Sequence, residues 1–340
     1  MKEVVLTGVR ANEEPTIANY LGAMLPMIKM ANASQYRVNF FVPDLHSFTT
    51  PIDHSTLYDN VIRAVKYDIA AGLDVENPDI NIYRQSFVPA HSELTWILDC
   101  FTGFGEMSRM IQFKDKSAEH KDNITVGLFN YPVLMAVDIL LYDAKWVPVG
   151  EDQYQHIEFA RDIGTRMNNK FGELFTVPEP TAAQSKFMQR DSGLRIRSLT
   201  DPTKKMSKSA VNDNSKILLI DDPDVAAKKI MGATTDSVGV INFDYENQPG
   251  ISSLLQILAM LSGKSQDEVN REWVGQTKYG DFKKAVAEAV RAFLIDFQAK
   301  VDAISDKKAL EILENSEVKI NEIANAKLAE VQKAVGLRKG

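Results

Sequence analysis

The sequence is short of cysteine: Cys100 is the only one in 340 residues. A single thiol closes no intrachain disulfide, completes no four-cysteine zinc site and holds no cysteine-bound iron–sulfur cluster. Long apolar runs are missing too. The apolar run Ile124 to Val137, free of charge, is shorter than the run of about 18 residues expected of a membrane span. The first residues, Met1 to Val5, carry Glu3 at once and no long apolar stretch, so no signal peptide is expected. Together these absences predict a reducing, cytoplasmic setting and no membrane partner. Positive charge is also in deficit, with a net charge of −7. Nucleic acid is therefore not expected as a partner of the whole surface, although a local basic stripe can act inside an acidic whole.

What is present is an ordinary globular balance, with 44% hydrophobic and 25% charged residues. That excludes a mostly disordered chain. The length favours two domains over one. The first part alternates strand-like and helix-like segments. Strands are expected at Glu3 to Thr7, Arg37 to Val42, Asp79 to Tyr83 and Trp146 to Val149. Helices are expected at Pro15 to Ala31, across Leu57 to Ile69 with Gly72 as C-cap, at His91 to Phe101, within Ile124 to Tyr142 entered near Pro132, and at Glu151 to Lys170. Alternation of this kind predicts βαβ units and a Rossmann-like parallel sheet, an α/β fold. Thr176 to Thr203 reads as polar loop, and beyond Asp222 the pattern is helical. The expected domains are a catalytic α/β unit over 1–200, a lysine loop over 201–212, and a helical region over 213–340 whose last helix is a candidate to pack back on the first unit. In an open parallel sheet the ligand sits beyond the carboxyl ends of the strands, which directs attention to Gly8–Asn19, the segment from Tyr131, and Gly150–His156.

The sharpest motif is Lys205-Met206-Ser207-Lys208-Ser209. Two lysines three apart on a serine-rich loop can aim two ammonium groups at one polyphosphate, with hydroxyl and backbone donors beside them. A lone lysine pair would read as solvated surface. The full pentapeptide has a chance occurrence of roughly 10⁻⁴ per chain. A second signal is the run Val133 to Leu141, apolar except for Asp138. A carboxylate there needs a partner, since burying it alone costs several kcal/mol. Tyr131, Met135, Asp138 and Tyr142 are spaced to share one helix face. That face could be core; it could also clasp a flat apolar ligand with one N–H donor, an acceptor and a polarizable thioether lying side by side. Gly150-Glu151-Asp152-Gln153 leads into the next helix, either as a capping turn or as a holder of hydroxyl and amino groups.

The pentapeptide is the second signature of the class I aminoacyl-tRNA synthetases, and Thr16-Ile17-Ala18-Asn19-Tyr20 stands where the first is expected. Asp44 to Ser47, Gln85 with Val88 to His91, Gly105 to Ser117, Tyr131 to Leu140, Val147 to Gln153, Asp236-Ser237 and Pro249 to Ser252 keep the likeness in register. Over residues 3 to 340 the chain resembles the tryptophanyl branch of that class, bacterial type. The resemblance implies a Rossmann-like catalytic domain with a helical C-terminal region. It implies activation of L-tryptophan by ATP with Mg²⁺, transfer to the 3′ end of tRNA(Trp), and a homodimer. It places Leu6, His46, Tyr131, Met135, Asp138, Ile139, Val147, Val149 and Gln153 at the amino acid, with Asp138 at the indole nitrogen. It places Gly8, Arg10, Thr16, Ala18, Asn19, Gly150, Asp152, Lys205, Ser207 and Lys208 at ATP, and gives Lys114, Lys205 and Lys208 the catalytic role of neutralising the leaving pyrophosphate. No dedicated metal cage is visible, as expected where phosphates hold Mg²⁺. Arg195, Arg197, Lys204, Lys333, Arg338 and Lys339 are candidate tRNA contacts. Two departures bear on ATP: the first turn reads Gly8-Val9-Arg10-Ala11-Asn12-Glu13-Glu14-Pro15, and Ala18 replaces a glycine. Competing readings are a tyrosyl-tRNA synthetase, against which Met135 weighs, a nucleotidyltransferase of the same superfamily, against which the helical C-terminal half weighs, and a weakly active tryptophan- or nucleotide-binding paralogue.

Overall fold

The computed structural model describes residues 2–8, 14–49, 51–114, 124–187 and 196–339. Arg10, Glu13 and Arg195 lie outside the described residues. Four parallel strands, β1 (Val4–Gly8), β2 (Arg37–Val42), β3 (Ile80–Arg84) and β4 (Ala144–Trp146), form a sheet of order β3-β2-β1-β4. β2 lies on one side of β1 and β4 on the other, so the connections reverse direction at β1. The crevice beyond Gly8 and Trp146 is the topological switch point of the sheet, where such folds bind ligands.

The first three strands fall where the β-branched and aromatic runs predict them. β4 does not. It ends at Trp146, and Val147 donates to Gln184 Oε1 at 2.9 Å instead of to a strand. Pro148 has no N–H with which to continue a ladder. Gln184 belongs to a helix, Thr181–Phe187, inside the stretch expected to be loop. The expected helix from Pro15 starts at Ile17, with Thr16 as N-cap and Pro15 outside it. It widens into a π turn at Tyr20–Met24 before continuing as Leu25–Asn32. Pro26 follows that turn, and a wide turn accommodates a residue without a backbone donor. The helix Val126–Leu140 runs through Pro132 and does not begin near it; Thr125 caps it, accepting from the Leu128 amide at 3.1 Å.

Beyond the sheet, helices Pro223–Met231, Pro249–Ser262, Gln266–Trp273 and Tyr279–Ala303 build a body whose core also takes in Ile17, Tyr20 and Leu21. Tyr20 packs against Phe293 and Phe297 at centroid separations of 4.8 and 5.4 Å. The last helix, Asp306–Ala334, returns to β3 and the helices Leu57–Ala70 and Ala90–Asp99. Among the described residues no helix is long and apolar enough to cross a membrane.

One buried carboxyl stands apart from the sheet's polar groups. Asp68, on the helix Leu57–Ala70, is fully enclosed, and its Oδ2 has no hydrogen-bond partner among the described residues. Burial pushes its pKa up to about 8. The unfolded value is about 4. A folded pKa above the unfolded one stabilises the fold below pH 4, and that contribution is lost as pH rises through 8. Asp68→Asn should therefore match the wild type in thermal unfolding near pH 4, and exceed it by a margin that widens up to pH 8. A margin independent of pH in melting curves taken across this range would show that Asp68 is not protonated in the fold.

Candidate active site

Two segments distant in sequence meet at the open end of β1. Ile17 N donates to Ile217 O at 2.9 Å and Leu219 N to Pro15 O at 3.0 Å, an antiparallel bridge centred on Thr16 and Leu218. Thr16 is wholly buried, and its hydroxyl closes a capping box with Asn19: Asn19 N donates to Thr16 Oγ1 at 3.2 Å, and Thr16 N to Asn19 Oδ1 at 3.0 Å. Two residues placed at ATP by sequence thus have their side-chain oxygens engaged in shaping the turn. Ala18 is half-buried in the same turn. Gly8 ends β1 where a Cβ would stand 3.2 Å from the Phe41 ring, tighter than an ordinary contact.

The lysine loop leads into this bridge. Met206 is its anchor, buried in the helical core, while Lys205 and Ser207 are exposed and Lys208 is half-buried. The loop backbone is pinned by Ser198 N to Lys204 O at 2.9 Å and Met206 N to Ile196 O at 3.1 Å. A buried lysine outside the motif, Lys216, donates to the carbonyls of Lys208 and Ala210 at 2.8 and 2.7 Å. Sequence reasoning missed Lys216; nothing local marks it out among the chain's lysines.

A second group of candidate residues lies on the helix Val126–Leu140. Asp138 is 1% exposed. Its Oδ1 receives Gln85 Nε2 at 2.7 Å and lies 2.8 Å from His91 Nδ1; its Oδ2 lies 2.8 Å from His46 Nε2. A carboxylate only accepts, so with Asp138 ionised both imidazoles turn an N–H toward it. His91 Nε2 is then the acceptor for the Tyr142 hydroxyl at 2.7 Å. Burial acts to raise the Asp138 pKa, but the charge and hydrogen bond of His46, with those of His91, outweigh it and hold the carboxyl below the usual range. Three of about four lone-pair positions are taken, which leaves room for one further donor. Tyr131, one face along, pairs with His156 Nε2 at 2.9 Å and meets the His46 ring edge-on at 6.2 Å. Burial pushes the Tyr131 phenol up to about 12, so it stays protonated. Met135 is half-buried between Tyr131 and Asp138. Leu6, Ile139 and Val147 belong to the enclosed core cluster against which Val149 packs. Gln85, His91 and His156 are the polar residues around this helix that spacing alone did not select. Their contacts span 53, 47 and 25 residues, beyond any local pattern.

On the rim, Gly150 lets the Asp152 carboxylate fold back over it: a Cβ there would meet Asp152 Oδ1 at 2.4 Å. Gln153 Nε2 donates to Asp152 Oδ2 at 2.6 Å. The turn is tied to the segment that carries the exposed Lys114 by Ile111 N to Gln155 Oε1 at 2.8 Å. The apolar side chains, the buried acceptor, the turn at Gly150 and the paired lysines thus come from separate parts of the chain, and Arg10 lies outside the described residues.

The family model described as tRNA synthetases class I (W and Y) matches residues 2–295. The chain is 45% identical over 333 residues to the tryptophan–tRNA ligase of Caldanaerobacter subterraneus subsp. tengcongensis, covering 98% of each chain. The crystal structure of the Mycoplasma pneumoniae tryptophanyl-tRNA synthetase superposes with a TM-score of 0.83 at 35% identity, covering 99% of each chain. That of the Campylobacter jejuni tryptophanyl-tRNA synthetase, complexed with ADP and tryptophan, gives a TM-score of 0.81 at 32% identity, with 98% of this chain and 99% of that chain covered.

If Lys216 holds the loop, Lys216→Met should free two carbonyls and loosen it. Limited trypsin digestion should then cut after Lys205 and Lys208 faster than in the wild type. An unchanged cleavage rate at those two sites would show that the loop is held by Met206 and its backbone pairs alone.

Proposed function

The chain belongs to the class I tRNA synthetases of the tryptophan and tyrosine group, and we propose that it works there as a tryptophan–tRNA ligase through the residues gathered above. It activates L-tryptophan with ATP and passes the product to tRNA(Trp). The observation that carries the assignment of residues is the enclosed Asp138 carboxylate, held ionised by His46, Gln85 and His91 with one accepting position left. An indole N–H fits that position, and the half-buried Met135 and the side chains of Leu6, Val147 and Val149 suit the flat ring. Tyrosine offers a hydroxyl that both donates and accepts, which matches this acceptor-only end less well. Tyr131 and Gln153 lie on the side of the ammonium and carboxylate.

The reaction needs no protein nucleophile. A tryptophan carboxylate oxygen attacks the α-phosphorus of ATP, the bond to the bridging oxygen breaks, and pyrophosphate leaves with the electron pair. The tRNA 2′-hydroxyl then attacks the acyl carbon of the mixed anhydride, and AMP leaves. Catalysis is positioning and charge neutralisation. Lys205 and Lys208, with Lys114 from the facing rim, meet the charge growing on pyrophosphate; Mg²⁺ enters with ATP as part of the substrate. Gly8, Ala18 and Asn19 border the nucleotide, with Thr16 setting their turn; Gly150 and Asp152 face the ribose, and Ser207 and Arg10 supply further donors. Ala18 puts one methyl where a glycine is common, which alters ATP affinity more than it alters the chemistry. Arg197, Lys204, Lys333, Arg338 and Lys339 give an otherwise acidic chain local cations for tRNA. The protein acts as a cytoplasmic homodimer. Trp96, Phe104 and Val126, 72%, 74% and 82% exposed on neighbouring helices, offer a second copy an apolar surface to cover.

Pyrophosphate exchange into ATP, run with each of the twenty amino acids, tests the reading. Tryptophan alone should drive it. Asp138→Ala should weaken tryptophan use by about 1–3 kcal/mol, the cost of a lost buried partner. Lys205→Ala and Lys208→Ala should slow adenylate formation far more than they weaken tryptophan binding. Exchange driven by tyrosine, or full tryptophan activity in Asp138→Ala, would refute the assignment.

The dimer has its own measurement. Sedimentation should give twice the chain mass for the wild type, and Trp96→Asp with Phe104→Asp should shift it toward the monomer. A monomeric wild type at micromolar concentration would remove the homodimer from the proposal.

A further inference from the structure

β3 is an edge strand, and an edge leaves outward-facing N–H groups to be satisfied by something other than sheet. Here the last helix satisfies them with side chains. Ile82 N donates to Ser316 Oγ at 2.9 Å, and Arg84 N to Glu317 Oε1 at 3.1 Å. Glu317 also takes the Arg84 guanidinium in a two-pronged grip, Nε to Oε1 and Nη2 to Oε2, both at 2.7 Å. Arg84 and Glu317 are 3% and 5% exposed. Replacing a buried ion pair with apolar side chains of similar volume is often neutral or stabilising, so stability alone does not account for this one.

Its location suggests another role. The residue after Arg84 is Gln85, which has no exposed surface, donates to Asp138 Oδ1 at 2.7 Å and accepts from the His46 amide at 3.4 Å. The turn Gln85–Phe87 is gripped from the helix side at both ends. Arg84 stacks on the Phe87 ring, its guanidinium carbon 3.3 Å from the centroid, and Asn321 Nδ2 donates to Phe87 O at 2.9 Å. Gln85 thus stands between a rigid clamp below and the pocket carboxylate above. We propose that Glu317, through its grip on Arg84, is a positioning residue for the amino-acid pocket: the last helix sets Gln85, and Gln85 sets the Asp138 carboxylate toward its ligand. This rests on the reading that Asp138 meets the substrate indole.

The test is pyrophosphate exchange with KM measured separately for tryptophan and for ATP, beside thermal unfolding of each variant. Glu317→Ala and Arg84→Lys, which keeps the charge but loses the fork, should each raise KM for tryptophan about ten-fold, the scale of one buried hydrogen bond. KM for ATP should not move. Because the effect passes through Gln85, Glu317→Ala added to Gln85→Ala should cost nothing further. Should either single variant fold poorly, the double variant Arg84→Met/Glu317→Leu keeps the volume without the charges and should show the same loss for tryptophan alone. An unchanged tryptophan KM in folded variants, while Asp138→Ala raises it, would confine Glu317 to the fold. So would losses that add on the Gln85→Ala background, or that fall equally on ATP. If Asp138→Ala itself leaves tryptophan KM unchanged, the reading of the pocket fails, and this inference fails with it.

Discussion

A negative charge with almost no solvent around it has to be met by donors, and the site is arranged around that requirement at Asp138. The donors cannot come from its own helix, where the neighbouring side chains are apolar. They come from the segments that follow β2 and β3: His46 after one strand, Gln85 and His91 after the next. Once those three are fixed, much else is. His91 needs an acceptor role for its second nitrogen and finds the Tyr142 hydroxyl. Gln85 must sit at the end of β3, so that strand's register matters to the pocket. The same carboxylate ties the helix Val126–Leu140 to the segments that follow β2 and β3.

The sheet has two edges, and side chains of later segments help close both, joined at β4 by the Glu179 amide, which donates to Lys145 O at 3.0 Å. At β3 the hydroxyl and carboxylate of Ser316 and Glu317 replace a neighbouring strand. At β4, Gln184 serves both senses, accepting from Val147 and donating to the carbonyls of Lys145 and Glu179. A Gln side chain can do this because its amide carries the same donor and acceptor as a peptide group. Closure of this sort removes the template for unwanted pairing. It also brings order to residues beside the ligand crevice without lengthening the sheet.

Much of this was legible in advance, for reasons that can be stated residue by residue. β1, β2 and β3 announce themselves as compact β-branched and aromatic runs, and the lysine pentapeptide is specific enough to stand alone. Asp138 was identifiable because a carboxylate in an apolar run demands a partner. Which partners it has was not, since Gln85 and His91 are brought to it by sheet order and not by spacing. The helix Thr181–Phe187 was hidden in a polar stretch because its buried residue, Gln184, is polar and imitates backbone. The helix Gln266–Trp273 carries a capping box at Ser265 and Glu268 that is readable as a start signal. Val147 and Val149 look like strand, but Pro148 between them has no N–H to donate to a ladder, and β4 ends at Trp146.

The pairing of Ile82 with Ser316 joins residues 234 positions apart, and the turn at Thr16 waits on a carbonyl at Ile217. A ribosome makes a chain from its amino end, so β3 emerges long before the helix that covers its edge. Until those later segments are made, the edge of β3 is bare and the first βα turn is unpinned. Contacts of such long range are slow to close and leave strand edges available to other chains meanwhile. The edge of β3 and the turn at Thr16 are therefore complete only once segments made some two hundred residues later have reached them.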